Sequence, residues 1–79
     1  MRQMVPVRSG MVRESLNMRR AELAREVEMQ PGVITWIETG RFIPYDNQIE
    51  KIAKVYRSRG WRGETSSLLD EIPDAVEVG

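Results

Sequence analysis

Apolar residues along this chain fall in short stripes at helical spacing, separated by breaks of only a few residues. Leu23, Ala24 and Val27 form one stripe, and Ile34 and Ile37 form a second. Such i, i+3, i+4 spacing marks the buried face of a helix. The break between the stripes, near Glu28–Gln30, has room for a tight turn and nothing more. Two short helices joined steeply through about three residues are therefore predicted. That shape lets the second helix project into a DNA major groove.

The flanking pattern extends the helical reading. Ser9 caps a helix through Met11, Val12 and Leu16, or Pro6 opens it one turn earlier. Asn17, which tolerates the left-handed conformation, ends it. The second helix runs over Arg20–Val27. Pro31 fits the first turn of the third, after Gln30 as a poor cap, and Gly40 ends it. Pro44 blocks continuation, and Asp46 caps a fourth helix carrying Ile49, Ile52, Ala53, Val55 and Tyr56. Arg57–Gly63 is a basic connection containing Trp61. Thr65-Ser66-Ser67 then introduces a short helix, Leu68–Ile72, that Pro73 stops. No repeat and no strand pattern emerges, so the predicted class is all-α. The division is a flexible arm over 1–9, a helical domain over 10–63, and a short helix with an acidic tail over 64–79.

Composition narrows the chemistry. With 79 residues and neither cysteine nor histidine, the chain has no thiolate nucleophile, imidazole base or zinc site of the usual ligands. No metal or cofactor is expected. An enzyme is not expected either. The paired carboxylates Asp70 and Glu71 fall in a surface helix with no cavity to tune them, and Gly60-x-x-Gly63 lacks the strand and lysine of a phosphate loop. No apolar run approaches a membrane span or a secretory signal, which predicts a cytoplasmic protein with no membrane partner.

The formal net charge is zero, but the charges are segregated. All 12 basic residues lie between Arg2 and Arg62 against seven acidic ones, leaving that stretch at +5. The five acidic residues that follow bring −5. A basic body with an acidic tail suits phosphate binding plus a second task for the tail, and it is equally the pattern of a solvated tail on an ordinary domain.

From Val12 to Tyr56 the chain resembles the Cro/phage-repressor type of helix-turn-helix protein, the xenobiotic-response-element family. The resemblance rests on Leu23-Ala24, on Ile34 and Ile37, and on Glu38-Thr39-Gly40-Arg41-Phe42-Ile43-Pro44, which matches the family's Glu-x-Gly-x-x-x-Pro ending. Ile49, Ile52 and Ala53 follow at the spacing of its fourth helix. It implies a compact four- to five-helix, lambda-repressor-like domain. The implied function is a sequence-selective regulator of transcription that binds double-stranded DNA, a repressor or autorepressor acting as a homodimer on a palindromic operator. In the family a helix-one arginine pairs with the glutamate closing helix three, positions held here by Arg13 and Glu38, which implies a structural ion pair.

The chain departs from the family at four places. Arg19 replaces the usual Ser or Thr cap of helix two, so Arg19 and Arg20 either face phosphates, as does Arg41, or are solvated. Glu28 replaces the common turn glycine, implying a strained backbone or a different turn. The reading positions hold Gln30, Pro31, Gly32, Val33, Thr35 and Trp36. Of these, Gln30 suits adenine, Thr35 offers a hydroxyl or a methyl, Pro31 and Val33 suit thymine methyls, and Gly32 permits close approach. Trp36 either stacks on DNA, contacts protein, or folds back over the Phe42 loop. The loop after Gly40 is expected to expose backbone amides to a phosphate. Tyr56, Trp61, Leu68, Leu69 and Ile72 are the expected dimer contact, unless Trp61 and Leu69 merely cover the monomer's own core. The alternative function is a protein-binding module on the same scaffold, an antitoxin or inhibitor docking through Trp36 and the acidic tail.

Overall fold

Among the described residues, four α-helices and one 3-10 turn follow in order: α1 (Arg8–Ser15), α2 (Arg20–Val27), α3 (Pro31–Glu38), α4 (Asp46–Ser58) and the 3-10 turn Thr65–Leu69. This computed structural model describes residues 5–72. Among them no strand forms beyond an isolated antiparallel bridge between Val7 and Glu71. No helix there is long and apolar enough to cross a membrane.

The four helices end in the same way. Each is followed by a left-handed residue: Asn17, Glu28, Gly40 and Gly60. In each case two amides fold back onto the last turn. Met18 N donates to Arg13 O (3.1 Å), Met29 N to Ala24 O (2.9 Å), Arg41 N to Trp36 O (2.8 Å) and Trp61 N to Tyr56 O (3.1 Å). The amides of Asn17, Glu28, Gly40 and Gly60 reach carbonyls one turn back. This is the Schellman closure, which satisfies carbonyls that the end of a helix leaves open. Glu28 is the residue out of character, with φ 59° and ψ 44° on a side chain that disfavours them. The turn is thus the ordinary one, held at a local cost of about 1–2 kcal/mol.

Helix starts differ from the sequence expectation at two places. Val7, not Ser9, caps α1, and Ser9 is buried inside the first turn. Tyr45, not Asp46, caps α4; Asp46 is the first helical residue, where its charge still complements the helix dipole. Two caps lack a side-chain acceptor and are closed from the other side. Glu22 Oε1 accepts from Arg19 N at 3.4 Å, and Gln48 Oε1 accepts from Tyr45 N at 2.8 Å. The C-terminal turn runs over Thr65–Leu69 where a helix over Leu68–Ile72 was expected, and Asp70–Ile72 are not helical, with Ser67 bonded to the Glu64 carbonyl through both its amide and its hydroxyl.

The core gathers Leu23, Ala24 and Val27 of α2, Ile34 and Ile37 of α3, and Ile49, Ile52, Ala53 and Tyr56 of α4. Val12, Met18 and Leu68 close its remaining sides. Ala24 and Ala53 are the small residues that let helices approach closely, and enlarging either would cost about 1–3 kcal/mol. The chain entering α1 is fixed at three points. Val7 N donates to Glu38 O (3.0 Å), Arg8 N to Asp70 O (2.9 Å), and Ile72 N to Pro6 O (2.9 Å). Of the arm expected over 1–9, the part within the described residues therefore includes a buried and bridged Val7, because the Leu68–Ile72 segment runs beside it.

Tyr56 is fully buried and spans the core to α1. Its hydroxyl donates to Ser9 O (3.1 Å), so the Ser9 hydroxyl, 3.0 Å away, donates to the phenol oxygen. Burial pushes the phenol up to about 12 against a partial counter-effect of the Ser9 bond. The ionised form is disfavoured in the fold, so the stability Tyr56 contributes is complete below pH 10 and is lost as pH rises towards 12. The shift corresponds to about 2–3 kcal/mol. Urea unfolding at pH 8, 10 and 12 should show this fall, and Tyr56→Phe should flatten it. An equal fall in the variant would disprove the assignment to Tyr56.

Candidate nucleic-acid interface

Helices α2 and α3 are joined by Glu28, Met29 and Gln30, and a clamp behind α3 sets their relation to α1. Arg13 Nε donates to Glu38 Oε2 at 2.7 Å and Nη2 to Oε1 at 3.2 Å, a two-pronged pairing. Arg13 Nη1 also donates to Met18 O at 2.7 Å. Only 8% of the Arg13 side chain and 4% of the Glu38 side chain are exposed. The Glu38 carboxylate, chiefly through its hydrogen bond, holds the Arg13 proton more tightly than usual. Gly10 leaves the space the carboxylate fills, since a Cβ there would lie 3.2 Å from Glu38 Oε1.

Arg20 joins this clamp. Its Nε donates to Glu38 Oε1 at 3.0 Å while 45% of its side chain remains exposed. Arg20 thus brings a second cation to Glu38, a contact outside the two roles expected for it, while its side chain stays partly exposed. Sequence spacing carries no signal for that contact, which spans α2 and the end of α3. Arg19 and Arg41 are exposed, one just before α2 and the other just after α3.

The outward side of α3 starts with Gln30, which is exposed and makes no cap bond with its carboxamide. Pro31 and Gly32 follow, both exposed, and Trp36 is 49% exposed. Val33 is half-buried against the core, which takes it out of the outward set. The Thr35 hydroxyl donates to Pro31 O at 3.3 Å, and that of Thr39 to Thr35 O at 2.8 Å. Glu38, the one ionisable side chain of α3, is buried, so the helix shows no charge on its surface.

Two expectations are corrected here. The amides after α3 do not face outward: Gly40 N donates to Ile37 O (3.2 Å), and Arg41 N and Phe42 N to Trp36 O (2.8 and 3.2 Å). The Schellman closure consumes the donors that a phosphate would need. The expected dimer set is also divided. Tyr56 and Leu68 have no exposed surface, because the short chain needs both to complete its own core. Trp61 packs its ring edge-on to Tyr56 at 6.0 Å, beneath the Arg57 guanidinium at 5.5 Å, and so covers the monomer. Leu69 is likewise half-buried against the core, and Ile72 is half-buried and bonded to Pro6. Among the described residues, the large apolar side chains left exposed are Met11, Trp36, Ile43 and Tyr45. The acidic tail beyond Ile72, with Asp74 and Glu77, lies outside the described residues.

A second basic surface runs along α4, where Lys51, Lys54 and Arg57 line an open groove with Asn47, Glu50 and Thr65. Their three-residue spacing was the signal available in the sequence. Arg57 is committed there to Gly63 O (3.1 Å) and Thr65 Oγ1 (3.0 Å). No protein-family model, curated protein or solved structure matches the chain.

Proposed function

We propose that the chain is a sequence-selective regulator that binds double-stranded DNA through a lambda-repressor-like helix-turn-helix, α2–α3, and acts as a homodimer on a palindromic operator. The observation that carries this reading is the pairing of a rigid rear clamp with a solvent-facing α3. Arg13, Arg20 and Glu38 fix the helix from behind, and Gln30, Pro31, Gly32 and Trp36 remain outward. A helix without surface charge, followed by exposed Arg41 on a body of +5, suits entry between two phosphate ridges. Arg19 and Arg41 serve as the phosphate contacts, and Gln30 as the polar base reader, with adenine N6 and N7 as its match. The dimer contact in this reading excludes Tyr56 and Leu68. It is cytoplasmic and needs no cofactor.

The exposed Trp36, Ile43 and Tyr45 favour a second reading, a module that docks a protein partner. Selection from a random duplex pool separates the two. The first reading expects enrichment of a palindrome with half-sites about one helical turn, 34–36 Å, apart. Affinity should fall with salt at a log–log slope of about −0.9 per phosphate neutralised. Arg41→Gln should weaken binding to all sequences alike and make the slope shallower by about 2 per dimer. No enrichment at low salt, or binding indifferent to salt, rules out the regulator.

A further inference from the structure

Resting on the DNA-binding reading above, we infer that α3 selects its site through the 5-methyl groups of thymine. The ligand class is then a thymine-bearing major groove, read mainly by apolar contact. Three observations on α3 converge on this.

First, the threonine hydroxyl protons are committed. Thr35 Oγ1 donates to Pro31 O and Thr39 Oγ1 to Thr35 O, so neither hydroxyl is free to donate to a base edge. The half-buried Thr35 side chain keeps an acceptor oxygen and a methyl group. Second, the surface has no charge, since Glu38 is buried beneath Arg13 and Arg20. Arg and Lys, the usual readers of guanine, are absent from α3 altogether. Third, nothing in the monomer requires a glycine at position 32. A Cβ there would meet no atom within 4 Å, and the residue lies within the helix and not in the left-handed region. Glycine is less favourable than alanine in a helix interior, so neither packing nor propensity in the monomer calls for it. A bare Cα beside Pro31 leaves clearance for a close-lying apolar group.

Of the groups lining the major groove, the thymine methyl is the apolar one; the rest are hydrogen-bond donors and acceptors. Pro31, the Thr35 methyl and Trp36 form the matching surface around Gly32. Gln30 then reads the adenine of the same pairs, so the polar and apolar readers agree on A·T steps. The same face would reject uracil, which has the hydrogen-bonding edge of thymine without the methyl.

The test starts from the duplex enriched by selection and replaces thymines by deoxyuridine. That change removes one methyl each and leaves base pairing intact. Binding should weaken about fourfold for a methyl removed in one half-site and about fifteenfold when both half-sites are changed, from the transfer free energy of one buried carbon. As a protein-side arm, Gly32→Leu should fold, since a Cβ there meets no atom within 4 Å, with its thermal midpoint measured alongside, while binding falls at least tenfold. Deoxyuridine duplexes bound within twofold of the parent, a selected site without thymine, or a Gly32→Leu variant that binds normally would each overturn the inference. A selected palindrome bound without regard to the methyls discards this inference and keeps the regulator. A pool with no enrichment discards both.

Discussion

Glu38→Leu is expected to bring the domain close to unfolding. Removing the carboxylate leaves the Arg13 guanidinium, with 8% of its side chain exposed, buried with only the solvent-exposed Glu14 carboxylate at 3.7 Å as a counter-charge. Stranding one member of a buried pair costs about 3–5 kcal/mol. A domain of 79 residues has total stability of roughly 4–12 kcal/mol, so the loss is a large share of it. At about 4–8 °C per kcal/mol for this size, the thermal midpoint should drop by more than 10 °C. The pair itself contributes little net stability, because desolvating two charges offsets most of their attraction. Arg13→Met combined with Glu38→Leu should therefore recover most of the loss. The recovery is incomplete because Met18 O also loses its partner Arg13 Nη1, a debit of about 1–3 kcal/mol. A single variant that melts within a few degrees of the parent would refute the clamp.

The second large effect is expected at Gly40. Its φ of 83° is left-handed, and a Cβ on it would run into the carbonyl oxygen of Val5, which is backbone and cannot rotate aside. Gly40→Ala thus combines a left-handed penalty of about 1–2 kcal/mol with an overlap of about 1–3 kcal/mol. Gly60 gives the internal control, because its φ of 104° is also left-handed but a Cβ there would meet nothing within 4 Å. Gly60→Ala should show the conformational penalty alone. Urea denaturation of the two variants measures the difference directly. Equal losses would mean that the Val5 segment moves away freely, and that the Val7–Glu38 and Ile72–Pro6 bonds do not fix it.

Both predictions concern the rear of α3, and the division of labour across that helix organises the functional reading. Ile34, Ile37 and Glu38 are inward and hold its position, whereas Gln30, Gly32 and Trp36 face outward. In the function proposed here for α3, a rigid support behind the helix is what discrimination between similar sites needs, because a movable helix would adapt to the wrong site as well.

Much of this was legible from the chain. The stripes Leu23-Ala24-Val27 and Ile34-Ile37 located α2 and α3, since apolar side chains at helical spacing have one favourable place to go. Pro31 opened α3, and Asn17 and Gly40 closed α1 and α3, because their backbone preferences are local properties that no tertiary contact need supply. Glu28 in place of a turn glycine implied either a strained backbone or a different turn, and its left-handed geometry is the first of these. The caps of α1 and α4 were less legible, because Ser9 and Asp46 are good cap residues that the fold uses otherwise.

Local chain chemistry alone therefore determined the helical class, the order of helices and most of their ends. Only the assembled structure decided where the polar and aromatic groups went. Ser9 went to Tyr56 across 47 residues, Arg20 went to Glu38 across 18, and Tyr56 and Leu68 went to the core instead of a partner. Propensity and periodicity act over a few residues, whereas each of these choices is a competition between distant groups for the same buried space. That competition is settled only once the helices have met.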